Sequence, residues 1–76
     1  MSHPVEHWIE TPGSSQILGF GYTAYCRRLT VQFKGGAIWD YSEVPHEVYD
    51  SMRDAASVGS CFGRFVKPFY AGVKRA

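Results

Sequence analysis

The run Phe33-Lys34-Gly35-Gly36-Ala37-Ile38-Trp39-Asp40-Tyr41 constrains the fold more than any other stretch, because it holds a chain reversal and the strand that returns from it. Adjacent glycines supply the positive φ angles that tight hairpin turns demand. On the outgoing side, Leu29-Thr30-Val31-Gln32-Phe33 alternates apolar and polar residues, as a half-buried strand does. On the return side, Trp39 and Tyr41 are two apart and so share one face. The turn decides which face. A two-residue loop pairs Lys34 with Ala37, Phe33 with Ile38, Gln32 with Trp39 and Thr30 with Tyr41. Both rings then lie beside Arg28, Thr30, Gln32 and Lys34, opposite Leu29, Val31 and Phe33. A three-residue loop shifts the return strand by one residue and sends both rings to the core side. Turn statistics favour the two-residue loop, so the expectation is an aromatic pair on the polar face.

Around this hairpin the other elements follow from pattern. A strand is expected from about Ser15 to Tyr22, with Gly19 and Gly21 inside it marking a bulge or a close backbone approach. Trp8-Ile9-Glu10 can pair briefly with a sheet edge before Thr11-Pro12-Gly13 breaks it. After Tyr41 the period changes from two to 3.6. Pro45 suits the first position of a helix, and Val44, Val48, Tyr49, Met52, Ala55 and Ala56 give that helix an apolar face to about Ala55. Ser57 is a natural N-cap for a second, shorter helix with Cys61, Phe62, Phe65, Val66 and Phe69 on its apolar side, ended by Pro68. Gly59 and Gly63 lie four apart on one stripe of it, where glycine weakens the helix and points to close packing or close approach of a ligand. The expected fold class is α+β: a small single domain, a three-stranded antiparallel β-meander followed by two short helices packed on one face.

At 76 residues such a domain has little core to spare, and its five Phe, five Tyr and two Trp are what make burial sufficient. No apolar run approaches the roughly 18 residues needed to span a bilayer, and Met1-Ser2-His3-Pro4 is not the start of a secretory signal. The chain reads as a soluble, cytoplasmic protein with no membrane partner. Cys26 and Cys61 show no metal-ligand spacing and read as two reduced thiols.

The net charge of +1 hides a segregation. Asp40, Glu43, Glu47, Asp50 and Asp54 face only Arg53 between positions 40 and 54, whereas Arg64, Lys67, Lys74 and Arg75 have no carboxylate near them in sequence. The basic end is a weak signal for nucleic acid. Catalytic signatures are missing. Met1-Ser2-His3 is a chelating tail at most, His3 and His7 are separated by Pro4, His46 and Cys61 are a pair of residue types only, and Gly59-x-x-x-Gly63-Arg64 lacks the Lys-Ser/Thr ending of a phosphate loop. The expectation is a non-enzymatic protein with no cofactor and no metal site.

The order of motifs resembles the KTSC domain, a module found at the C-terminus of some lysyl-tRNA synthetases and as stand-alone bacterial or phage proteins. The resemblance is carried by Ser14-Ser15, Gly21-Tyr22, Leu29-x-Val31-x-Phe33, Gly36, Trp39-Asp40-Tyr41, Val44-Pro45, Val48-Tyr49, Ala55-Ala56-Ser57-Val58-Gly59 and Tyr70. It divides the chain into an N-terminal extension (1–13), a KTSC-like domain (14–70) and a basic C-terminal tail (71–76). Trp39 replaces the first aromatic of the family's Tyr-x-Tyr, and Gly63 stands where the family often has Asn. The synthetase context implies RNA. Combined with the residues, this gives an accessory module for RNA or single-stranded nucleic acid, in which Trp39 and Tyr41 stack on bases while Arg28, Lys34, Arg64 and Lys67 hold phosphates. The alternative is a protein-interaction module that uses the acidic helix, with Tyr49 and the edge strand near Trp8 as anchors. The expected state is a monomer or weak homodimer.

Overall fold

A computed structural model describes residues 8–11 and 16–75. The readings that rest on Met1-Ser2-His3, on His7, on Pro12-Gly13 and on Ser14-Ser15 lie outside the described residues. Among the described residues five antiparallel strands form one sheet in chain order: β1 (Ile9–Glu10), β2 (Ile17–Thr23), β3 (Arg28–Phe33), β4 (Ile38–Tyr41) and β5 (Gly72–Lys74). Two helices, α1 (His46–Asp54) and α2 (Val58–Phe65), lie between β4 and β5 in sequence. The α+β class and the meander are as expected. The sheet gains an edge strand on each side, β1 beside β2 and β5 beside β4. Residues 72–74, read from sequence as tail, are therefore part of the sheet.

The hairpin corrects the expected turn. Val31 is opposite Trp39 and Leu29 opposite Tyr41, so the loop is the three-residue Lys34-Gly35-Gly36. The Phe33 N–H donates to the Ala37 carbonyl at 2.8 Å and the Gly36 N–H to the Phe33 carbonyl at 3.0 Å. Gly35 and Gly36 have φ of +97° and +95°, a region that a Cβ disfavours. Both glycines do serve the turn, but Lys34 joins them in it. That one residue reverses the facing of Trp39 and Tyr41.

The helix-facing side of the sheet therefore carries Ile17, Phe20, Tyr22, Leu29, Val31 and Tyr41, which form one core with Val44, Tyr49, Met52, Cys61, Phe62 and Val66. A bulge between Ile17 and Gly19 keeps this set in register, taking up the odd spacing between Ile17 and Phe20. Trp8 lies over Gly19, where a Cβ would come within 2.7 Å of its ring, so this glycine answers the close approach foreseen from sequence. The two helices begin one residue later than a proline-first reading gives and where a serine cap predicts, respectively. Pro45 is itself the extended residue before α1, and the Ser57 hydroxyl accepts from the Ser60 N–H at 3.3 Å ahead of α2. Phe65 and Phe69 depart from expectation: they are 54% and 71% exposed, because α2 ends at Phe65 and only Cys61, Phe62 and Val66 turn inward.

Candidate binding pocket

Between the β4–β5 edge of the sheet and α2 lies a pocket of about 490 Å³. Trp39 and Tyr41 line it from the sheet, stacked with ring centroids 6.5 Å apart and 22° between their planes. Phe62 and Phe33 close one side; Phe62 meets Tyr41 edge-on at 5.3 Å and Phe33 at 5.4 Å. Tyr70 and Gly72, from the return to β5, line it as well. Among the described residues the remaining lining comes from Gly59, Gly63, Lys67 and Gln16, and none of these described lining residues is a carboxylate.

The two rings differ in role. Tyr41 is 6% exposed, and burial pushes its phenol above the ordinary tyrosine range. It belongs to the core and supports its neighbour. Trp39 is only partly buried, packs against that core, and turns its remaining surface to the pocket. Gly72 makes the arrangement possible, since a Cβ there would collide with the Tyr41 ring and come within 3.1 Å of Trp39 Cε3. Gly63 is the reverse case: a Cβ would meet nothing within 4 Å. Of the two reasons the sequence allowed for that glycine, close packing is therefore set aside.

The six residues singled out from sequence do not form one surface. Trp39, Tyr41 and Lys67 come together in the pocket. Arg64 is exposed on α2, next in chain to Gly63. Lys34 is exposed in the hairpin turn, and its N–H donates at 2.8 Å to the carbonyl of the pocket residue Gln16. Arg28 lies apart, at the far end of β3 opposite Thr23 and on the face away from the helices. The expectation that put Arg28 beside the aromatic pair fails with the two-residue loop. Sequence reading missed Lys74, which pairs with Trp39 across β4 and β5 and so shares its face. The alternation that marks a strand cannot be seen in three residues.

Elsewhere, His46 Nδ1 lies 2.8 Å from Asp50 on the outer side of α1, an i,i+4 pairing that accounts for this histidine. Both cysteines are free, and burial raises the Cys61 thiol above its usual range. Among the described residues no group of three or more His, Cys, Asp or Glu could hold a metal ion, and no helix is long and apolar enough to cross a membrane.

The sequence matches the KTSC domain family over residues 13–70. The chain belongs to the KTSC domain family. A protein of Tsukamurella paurometabola is 40% identical over 60 residues, covering 79% of this chain and 90% of that protein. A lysine–tRNA ligase of Nostoc punctiforme is 34% identical over 56 residues, which is 74% of this chain but only 10% of the ligase. The crystal structure of a KTSC domain protein from Yersinia pestis superposes with a TM-score of 0.83 at 28% identity, over 92% of this chain and 97% of that one. The KTSC unit thus occurs both as nearly the whole of a small protein and as a minor part of a large ligase.

Proposed function

We propose that this KTSC domain is a non-enzymatic accessory module that binds RNA or single-stranded nucleic acid through the Trp39 pocket. The observation that carries the reading is the pairing of a partly exposed indole with Lys67 in one pocket that, among the described residues, no carboxylate lines. Unstacked bases pack on aromatic faces while cations meet the phosphates, and that combination is what single strands select. Lys67 lines the pocket, Lys34 and Arg64 follow the lining residues Phe33 and Gly63 in the chain, Lys74 lies opposite Trp39 across the sheet, and all four are exposed. The similarity to part of a tRNA ligase points the same way. Short RNA and DNA oligonucleotides titrated at several salt concentrations test it: four phosphate contacts on a single strand give a log–log salt slope of about −3. An affinity indifferent to salt, or an unchanged Trp39 signal, would count against it.

A second reading is a protein-interaction module, favoured by one observation. Phe65 is exposed and, with Val48, Ser51 and Glu47, lines a shallow hollow between the outer sides of α1 and α2. Tyr49, expected to anchor such a contact, is buried in the core. A partner recovered after nuclease treatment and high-salt washing, and lost with Phe65→Ser, would support this reading over the first.

A further inference from the structure

Gly63 is the sixth residue of the eight in α2, a place where glycine weakens a helix. Three circumstances favour a glycine there: a left-handed backbone, a tight neighbour, or open space that something else must enter. Gly63 is not among the positive-φ residues, and a Cβ would meet nothing within 4 Å. The third circumstance remains. The open space is the pocket, which Gly63 lines together with Gly59 one helical turn before it, Lys67 four residues after it, and Trp39 on the sheet.

Resting on the nucleic-acid reading, we infer that Gly63 is the aperture through which one unpaired base enters the pocket to lie against Trp39, its phosphate held by Lys67. A volume of about 490 Å³ is of the order that small-molecule sites occupy, not that of a groove for a continuous strand. A base within a duplex is stacked on both faces and must leave the stack before it can enter such a site. Unpaired positions in loops, bulges or single strands are therefore the selected targets. Lys67 on the lining, with no carboxylate among the described lining residues, distinguishes this occupant from an uncharged aromatic side chain of a protein, which carries no phosphate for the ammonium to hold.

Because the Gly63 position is open, a larger residue can be placed there without disturbing the fold, and Gly63→Leu tests the aperture directly. The full chain is titrated with adenosine monophosphate, ribose 5-phosphate, phosphotyrosine and a short single-stranded oligoadenylate, with NMR shifts as the readout. Adenosine monophosphate is expected to move the Trp39 indole N–H and the Gly59 and Gly63 amides, and ribose 5-phosphate to leave the indole in place. Gly63→Leu is expected to weaken oligoadenylate binding roughly 5- to 150-fold, the range carried by one base–aromatic stack, at an unlowered melting temperature. If wild type and Gly63→Leu bind the oligonucleotide equally, base entry is wrong and the nucleic-acid reading survives. If wild type does not bind it even at low salt, or the pocket takes phosphotyrosine in its place, both fall. The wild-type comparison of adenosine monophosphate with ribose 5-phosphate decides the matter independently of the variant: equal effects on the indole overturn base entry.

Discussion

Asp40 on β4 and Arg75, thirty-five residues later, form a two-pronged ion pair in which Nε and Nη2 of the arginine each lie 2.8 Å from a carboxylate oxygen. The same carboxylate accepts from the Thr30 hydroxyl at 2.7 Å, and the Arg75 N–H donates to the Ile38 carbonyl at 2.7 Å. These contacts fasten the last strand to the sheet on the face away from the helices, while its other face carries Gly72, which lines the pocket, and Lys74, which lies opposite Trp39. Asp40→Ala removes three charge-assisted or neutral hydrogen bonds at a partly exposed site. After discounting for solvent screening, the expected cost is about 1–2 kcal/mol. The Val73 and Lys74 amides should exchange faster by NMR, and ligand binding at Trp39 should weaken in parallel. Unchanged exchange in β5 would show that the pair does not hold the strand.

Gly72→Ala acts from the pocket side. The new methyl would collide with the Tyr41 ring, which is fixed by Phe62 and cannot retreat freely. Overpacking of this kind costs about 1–3 kcal/mol, and each kcal/mol lowers the melting temperature of a domain this size by about 4–8 °C. A calorimetric scan showing no loss would mean that β5 yields by shifting outward. An altered Trp39 fluorescence spectrum would then report that shift.

The strands at the centre of the sheet were legible because their alternation is clean: Leu29, Val31 and Phe33 share a face in the structure as the pattern requires. The Ser57 cap, the bulge near Gly19 and the amphipathic α1 were legible for the same reason, since each is a local signal. The facing of Trp39 and Tyr41 was not local. It turned on whether Lys34 belonged to the strand or to the loop, which two glycines leave open. The need of so small a chain to bury its large aromatics was the available signal, and it favoured the three-residue loop. β5 was illegible because a three-residue strand has no period, and what holds it is tertiary: the Asp40–Arg75 pair and the room that Gly72 leaves for Tyr41.

Tyr22 links sheet to helix through its hydroxyl, which donates to the Val44 carbonyl at 2.6 Å in the buried core and holds the chain just ahead of α1. Tyr22→Phe leaves that carbonyl without its partner and should cost about 1–3 kcal/mol in denaturant unfolding. The same burial gives a pH dependence. Tyr22, Tyr41 and Tyr49 are all raised above the ordinary tyrosine value, chiefly by desolvation. Above about pH 10 the unfolded chain loses phenolic protons that the folded chain retains, so ionisation favours unfolding. The stabilising contribution of these protons is complete below about pH 10 and is lost as the pH rises through the higher folded values. Equilibrium unfolding near pH 8 and near pH 11 should show a marked drop at the alkaline end, smaller in Tyr22→Phe.

Phe62 and Phe65 are three residues apart on α2 yet have opposite fates, 5% against 54% exposed. Phe62 meets Phe33 and Tyr41 edge-on and joins the helix to both the sheet and the pocket. Phe62→Ala should cost about 3–5 kcal/mol, enough to unfold much of a domain of marginal stability. Phe65→Ala should change stability by less than about 0.5 kcal/mol, as exposed substitutions do. Paired urea titrations of the two variants measure the contrast. Equal, large losses would mean that Phe65 packs inward and that the hollow beside α1 is closed in solution. A neutral Phe65→Ala leaves that surface free to act as the partner-binding site of the second reading.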